Sequence, residues 1–500
     1  MNQRRPDSTS QPLASIRVSA ETLEEAAGIE LHSIDYIQEH ERHGRVSDQG
    51  PFWFLTNFQF FAIAIGFIGP SLGLATGYTA LAGTLGILIG TVFQAFHASQ
   101  GPEMGLPQMI QSRAQFGYRG VIVPLAVTLV SLMGYNVVSA VLVADGSRAL
   151  WGLERVGTTL GVSVLAAALA IWGYDWLHRV FRFLFWVNLP LFTALSLAVL
   201  AGKVPSSVHL AGHWSWAAFG TQLASAASFN ITGAPTVSDY SRYLPSRTPR
   251  SHIIAHVFAG SSVSAIWLIA FGAWLATHLG SRDALLALQQ AGNLAWPAFG
   301  SFLAAISIVA LVAGMGTTAY SAMLVLVSAV DSLRPVRPTR TLRVVAIVAL
   351  MIAWIVVALS LSGNAVTYVN GMLVMMLYFL MPWTAVNLID YFCLRRGRYS
   401  ILDLFRARGI YGAWGVRGLI AYAAGFIVSI PFFVVPSVYT GVLAARLGGV
   451  DLGWLVSGAT AAATYLFLSR NFSTTTEETA IAASARVLYA TLAAREEPLQ

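Results

Sequence analysis

Ile65-Gly66-Phe67-Ile68-Gly69-Pro70 and Phe229-Asn230-Ile231-Thr232-Gly233-Ala234-Pro235 each interrupt an apolar segment long enough to span a bilayer. Glycine and proline at such depth free backbone donors and acceptors that lipid cannot satisfy, so each break has to face protein or a water-filled cavity. The two interruptions fall at similar depths in the first and sixth apolar segments. A matched pair of this kind points to a secondary transporter built from inverted repeats, with its site where the broken helices meet. The competing reading is a pair of ordinary kinks, since both residues are commoner in membrane helices than in soluble ones.

Composition supports a membrane protein. Of 500 residues, 56% are hydrophobic and only 11% charged, against roughly 25% charged in ordinary globular chains. The first fifty residues are polar and charged and contain no apolar signal-peptide core. The single cysteine, Cys393, excludes an intramolecular disulfide and a cysteine-based metal cluster.

Twelve apolar spans are expected, at roughly 52–75, 80–99, 121–147, 158–174, 180–201, 214–238, 253–278, 296–327, 343–362, 364–389, 416–442 and 450–469. Most reach the ~20 residues that cross the hydrocarbon core. With the N-terminus inside, 25 of the 30 Lys and Arg fall on the inner side. The outer loops hold Arg148, Arg155, Lys203, Arg282 and Arg446. Such asymmetry is the positive-inside pattern of a multi-pass cell-membrane protein with both termini cytoplasmic. The net charge of +7 is then a topology device facing anionic lipid, and no nucleic-acid partner is implied.

The expected architecture is all-α. A polar leader over 1–51 precedes two inverted five-helix repeats over 52–201 and 214–389, two accessory helices over 416–469 and a cytoplasmic tail over 470–500.

Uncharged polar groups inside the spans are the candidate site, because polar groups in lipid are costly unless they act. No Asp, Glu, Lys or Arg lies mid-span in the first, sixth, seventh or eighth segment, which predicts a neutral ligand. Tyr135 and Ser139, four apart in the third span, share a helix face and offer an aromatic plate and a hydroxyl to a planar heterocycle. Equally, Tyr135 can pack the bundle and Ser139 bond its own i−4 carbonyl. Phe229 and Asn230 precede the second break, where Gly233 opens a new helix start; Asn230 can instead satisfy backbone freed by Pro235. Gly314, Thr317 and Thr318 in the eighth span combine close backbone approach with hydroxyls for substrate or cation, or serve helix packing alone. Asn57 and Gln59 line a vestibule or bond a neighbouring helix. Asp239, Arg242, Arg247 and Arg250, with Asp390 and Arg395, read as topology anchors with local ion pairing. There is no Walker loop and no HExxH spacing, so soluble-enzyme chemistry has no support.

Two further stretches carry a resemblance. Gly105-Leu106-Pro107-Gln108-Met109-Ile110-Gln111-Ser112-Arg113-Ala114-Gln115-Phe116-Gly117-Tyr118-Arg119-Gly120 and Val237-Ser238-Asp239-Tyr240-Ser241-Arg242-Tyr243-Leu244-Pro245 are similar to markers of the nucleobase:cation symporter-1 family, which includes purine/cytosine permeases and hydantoin transporters. The resemblance extends over roughly residues 30–470 and implies twelve helices in the leucine-transporter fold. It places substrate between the first, third, sixth and eighth helices, at Tyr135, Ser139, Phe229 and Thr318. Ser139 and Thr318 stand where the family carries residues such as amides, and a hydroxyl reads less of a base edge than an amide does. Sodium-binding members carry a Ser-Thr pair where this chain has Val312 and Ala313, leaving backbone carbonyls such as that of Ala64, and Thr317, as cation candidates.

The expected function is symport of a nucleobase or related neutral nitrogen heterocycle with H⁺ or Na⁺, by alternating access. Gly66, Gly69 and Gly233 would give close backbone approach to the ligand. No cofactor and no obligate protein partner are implied. An amino-acid permease of the same fold is the rival within transport; a membrane sensor or membrane enzyme is the rival of another class.

Overall fold

The computed structural model describes residues 35–206, 212–334, 336, 339–362, 364–436 and 438–496. Most of the polar leader lies outside the described residues. Its last part, from Asp35, packs on the bundle: Ile37 is fully buried, and the Arg42 guanidinium donates to the carbonyls of Ile37 and Pro102.

Helices dominate. The first segment comprises α1 (Val46–Asn57), α2 (Phe60–Gly66) and α3 (Ile68–Ser71). The second is α4 (Thr76–Ala98), continued by the short α5 (Gln100–Met104), α6 (Gln108–Gln111) and α7 (Arg113–Phe116). Then come α8 (Ile122–Trp151), α9 (Arg155–Trp172) and α10 (Tyr174–Leu200), followed by α11 (Trp216–Ile231) and α12 (Ala234–Ser241). The second half continues with α13 (Arg250–His278), α14 (Ala284–Ala295), α15 (Phe299–Leu333), α16 (Arg340–Ser360) and α17 (Ala365–Leu388). The chain closes with α18 (Val416–Ser429), a minimal hairpin of β1 (Val434–Val435) and β2 (Tyr439–Thr440), α19 (Val442–Arg446), α20 (Gly453–Leu468) and α21 (Thr475–Glu496). Among the described residues eight helices are long and apolar enough to cross a membrane, or nine when the bent first segment counts as one span. The helices α18 and α20 are apolar but shorter, and α11 and α12 are separated by the second break.

The first break, at Phe58 and Gln59, lies ahead of the expected run; inside that run the helix is interrupted again at Phe67, where α2 ends at Gly66 and α3 begins at Ile68. Gln59 is extended (φ −131°, ψ 155°), and the flanking helices bend by 59°. Amide side chains support this break: Gln59 Nε2 donates to the Thr56 carbonyl at 2.6 Å, and Asn57 Nδ2 to Asn230 Oδ1 at 2.7 Å and to the Ser261 carbonyl at 3.0 Å. Gly66 serves packing instead. A Cβ there would lie 2.3 Å from the Ile269 carbonyl oxygen, so its bare Cα lets α13 press against α2. Gly69 N–H donates to Gln222 Oε1 at 2.7 Å. Pro70 falls in the first turn of α3, where a missing N–H has no helical partner to lose.

The second break is at the expected place. The helix α11 ends at Ile231, and Pro235 stands in the first turn of α12 after Thr232 and Gly233. Around these two breaks, α4 packs against α11 and α13, and α15 packs against α8 and α9.

Charged residues near the end of the bundle that carries the start of α1 are more buried than anchors would be. Asp390 is fully buried. It accepts hydrogen bonds from Gln115, Tyr399, Tyr465 and Arg395, and Arg395 also pairs with Glu477 of α21 at 2.8 Å. Burial pushes the Arg395 pKa down, but Asp390 and Glu477 outweigh it and hold the guanidinium well above its ordinary value. Arg250 pairs with Glu103, which also accepts from the Tyr391 hydroxyl at 2.5 Å. The tail is therefore a helix over Thr475–Glu496 that docks on the bundle through Glu477.

Candidate functional site

A cavity of about 110 Å³ opens between the two breaks. Its walls come from α1, the first break, α2, α4, α8, α11, the second break, α12 and α15. Among the described residues no charged side chain lines it, which follows from the absence of mid-span charge in these segments and suits a neutral ligand.

One wall is aromatic. Phe61 and Phe229 stack with ring centroids 5.8 Å apart and planes 8° from parallel. Tyr135 tilts against both, at 5.1 Å and 6.4 Å. Its hydroxyl shares a 2.5 Å hydrogen bond with Thr232 Oγ1 and lies 3.3 Å from the Phe229 carbonyl oxygen. The phenol is thus tied to the second break, while its ring stays available as a surface for a flat ligand.

The other walls are uncharged and polar. Thr317 and Thr318 each donate to the carbonyl four residues earlier, at 3.2 and 3.0 Å, which leaves their oxygen lone pairs as acceptors. Ser139 lines the cavity one turn beyond Tyr135. Two glutamine amides enter it, Gln59 from the first break and Gln94 from α4. Each faces a glycine. A Cβ on Gly314 would lie 2.3 Å from Gln59 Oε1, and one on Gly233 2.8 Å from Gln94 Nε2.

The structure therefore brings Tyr135, Ser139, Phe229, Gly233, Gly314, Thr317 and Thr318 around one cavity. It places Ala64, Gly66 and Gly69 elsewhere: Ala64 and Gly66 are buried in the core and Gly69 packs against Thr79. Asn230 is also outside the lining. It is 1% exposed and joins the broken helices to α4, accepting from Asn57 and donating to Thr91 Oγ1 at 2.6 Å. Phe61, Gln94, Trp53 and Tyr240 line the cavity without having been singled out. Gln94 carried a usable signal, a polar residue deep in an apolar helix; the aromatics carried none, because rings are common throughout the spans. Among the described residues no group of three or more His, Cys, Asp or Glu is placed to hold a metal ion.

Residues 36–457 match the family described as permeases for cytosine/purines, uracil, thiamine and allantoin. The chain belongs to this permease family. Over 445 residues it is 32% identical to YxlA of Bacillus subtilis (strain 168), a protein named as a purine-cytosine permease, covering 88% of this chain and 96% of that one. It is 25% identical to the purine-cytosine permease FCY2 of Saccharomyces cerevisiae over 52% of this permease and 49% of FCY2. The fold matches that of Mhp1, a nucleobase-cation-symport-1 family transporter solved in a closed conformation with bromovinylhydantoin bound. The TM-score is 0.68 at 18% identity, covering 89% of this permease and 97% of Mhp1. The permease is thus a multi-pass membrane transporter and not an enzyme.

Proposed function

We propose that the permease is a symporter that imports a nucleobase or related neutral nitrogen heterocycle, of the purine, cytosine or hydantoin/allantoin type, by alternating access. One observation carries this reading: a cavity at the meeting point of two broken segments, with a three-ring aromatic wall, hydroxyls and amides, and no charged side chain. Flat heterocycles stack on such a wall while their edges meet the polar groups. Tyr135, Phe229 and Phe61 are the stacking surface, and Ser139, Thr318 and Gln59 read the edge. Gly233 and Gly314 make room for the Gln94 and Gln59 amides beside the ligand. An amino acid would bring a carboxylate and an ammonium into a site without a charged partner, which disfavours the rival permease reading.

In this reading the chain has twelve membrane spans. Two five-helix inverted repeats over 52–201 and 214–389 are followed by accessory helices within 416–469, with both termini cytoplasmic and no obligate protein partner. The coupling ion is H⁺ or Na⁺. Ala313 packs among Phe181, Leu184 and Ala310, and Val312 beside it is buried and apolar. Neither offers a side-chain oxygen to Na⁺, which weighs toward H⁺.

The test is uptake of radiolabelled cytosine, adenine, hypoxanthine, uracil, allantoin and hydantoin into cells expressing the permease, with Na⁺ or choline and with or without a protonophore. Uptake of one or more of these, lost in Tyr135→Ala and Thr318→Ala, is the expected result. Loss with the protonophore and indifference to Na⁺ assigns protons. Correctly inserted protein that accumulates none of them overturns the heterocycle assignment.

A further inference from the structure

We infer that Gln94 is a specificity-determining residue, whose side-chain amide reads a ligand edge on which an N–H donor lies beside an acceptor, as in a lactam or an amidine. The inference rests on the transport reading above and adds to it a contact from α4, a helix outside the four elements from which substrate contacts were expected.

Three observations converge on this side chain. Gln94 is 2% exposed and lines the cavity, yet its Oε1 has no hydrogen-bond partner among the described residues. A buried carbonyl without a partner is costly, so such a group is normally met by water or by a ligand. The surroundings are built to admit the amide. One turn earlier Thr91 is tied into the fold, giving its one donor to the Ile87 carbonyl and accepting from Asn230, both at 2.6 Å. Next along the same face, the bare Cα of Gly233 leaves the space that the Gln94 amide occupies, since a Cβ would sit 2.8 Å from its Nε2. The second break thus opens a gap at the point where Gln94 reaches the cavity. Finally, the other cavity amide, Gln59, is partly engaged, since one of its two Nε2 hydrogens goes to the Thr56 carbonyl at 2.6 Å.

A glutamine amide presents a donor and an acceptor side by side, and pairs with an edge that offers the complementary acceptor and donor. Hypoxanthine, uracil and cytosine all carry such edges. Methylation of a lactam ring nitrogen removes the donor of that edge and adds bulk where Gln94 Oε1 would accept. Gln94 is therefore expected to separate a free base from its N-methyl derivative.

The experiment uses purified full-length permease in detergent and in proteoliposomes, comparing wild type with Gln94→Met and Gln94→Glu. Affinities are measured for hypoxanthine, uracil and cytosine and for their ring-N-methylated counterparts. In wild type the free base is expected to win by about 10- to 100-fold, the discrimination of a bidentate pair. In Gln94→Met the free base should weaken by a similar factor and the methylated one hardly change, so that the preference collapses. The ligand-free melting temperature should not fall in Gln94→Met, because the accepting atom has no protein partner to lose. A preference that survives Gln94→Met, or an equal loss for both ligands together with a lowered melting temperature, overturns the inference while leaving the transport reading intact. Wild type that binds none of these bases fails at the earlier step and removes the heterocycle reading itself.

Discussion

Gly314 and Gln59 occupy one space: a Cβ on Gly314 would come within 2.3 Å of Gln59 Oε1 and 2.8 Å of its Cδ. The long α15 helix thus keeps a glycine where the side chain of the first break turns into the cavity. Gly314→Ala is expected to displace Gln59 and weaken ligand affinity by about 10-fold or more, in line with the loss of one well-placed polar group. Uptake kinetics check this. An unchanged KM in Gly314→Ala would show that the Gln59 position does not matter to the ligand.

The hydrogen bond between Tyr135 and Thr232 couples α8 to the second break at 2.5 Å. Tyr135→Phe keeps the ring and drops this bond, and should lower stability by about 0.6–1.7 kcal/mol, the range for interhelical side-chain bonds in membranes. Tyr135→Ala should abolish uptake. A double-mutant cycle with Thr232→Val, read by thermal unfolding in detergent, should show the two substitutions to be non-additive; full additivity would mean the bond contributes nothing.

Asn230 ties the two breaks to α4 from outside the cavity. Replacing it with leucine leaves Asn57 and Thr91 short of partners and should cost about 1–3 kcal/mol of stability. In the protein that survives, KM should move less than in Thr318→Ala, because Asn230 does not face the ligand. A larger KM change for Asn230→Leu than for Thr318→Ala would contradict that placement.

Glu477 and Glu478 are sequence neighbours on α21 with opposite expected weights. Glu477 pairs with buried Arg395 at 2.8 Å, whereas Glu478 lies 3.7 Å from Arg398 with both side chains more than half exposed. Glu477→Gln leaves a buried guanidinium with one carboxylate fewer and should destabilise by about 3 kcal/mol, the low end for breaking a buried pair. Glu478→Gln should fall within measurement scatter, since exposed pairs contribute little. Thermal unfolding of the two variants side by side checks this. Equal effects would show that the tail helix does not dock through Arg395.

What the sequence determined by itself was the membrane character, the helical class, the second break and the uncharged nature of the site. These follow from local chemistry, since lipid penalises every unpaired backbone group and every charge in a long apolar run. Tyr135, Ser139, Phe229, Gly233, Gly314, Thr317 and Thr318, which line one cavity, were legible as candidates because polar, aromatic or glycine residues stand out against leucine and valine. Tertiary structure alone decided the rest. The sharp bend of the first segment lies at Phe58–Gln59, ahead of the Gly66–Pro70 run, where the Gln59 amide takes the freed Thr56 carbonyl and Asn57 bonds Asn230 across to the second break, while Gly66 serves contact with α13. Asn230 left the lining because Asn57 and Thr91 claimed both ends of its amide. Gln94 entered it because the partner its carbonyl lacks, and the gap left by Gly233, exist only once α4 lies against α11 and α12. A hydrogen bond between residues more than a hundred positions apart leaves no periodicity in the chain, so which polar group is spent on the fold and which is left for a ligand is settled only by packing.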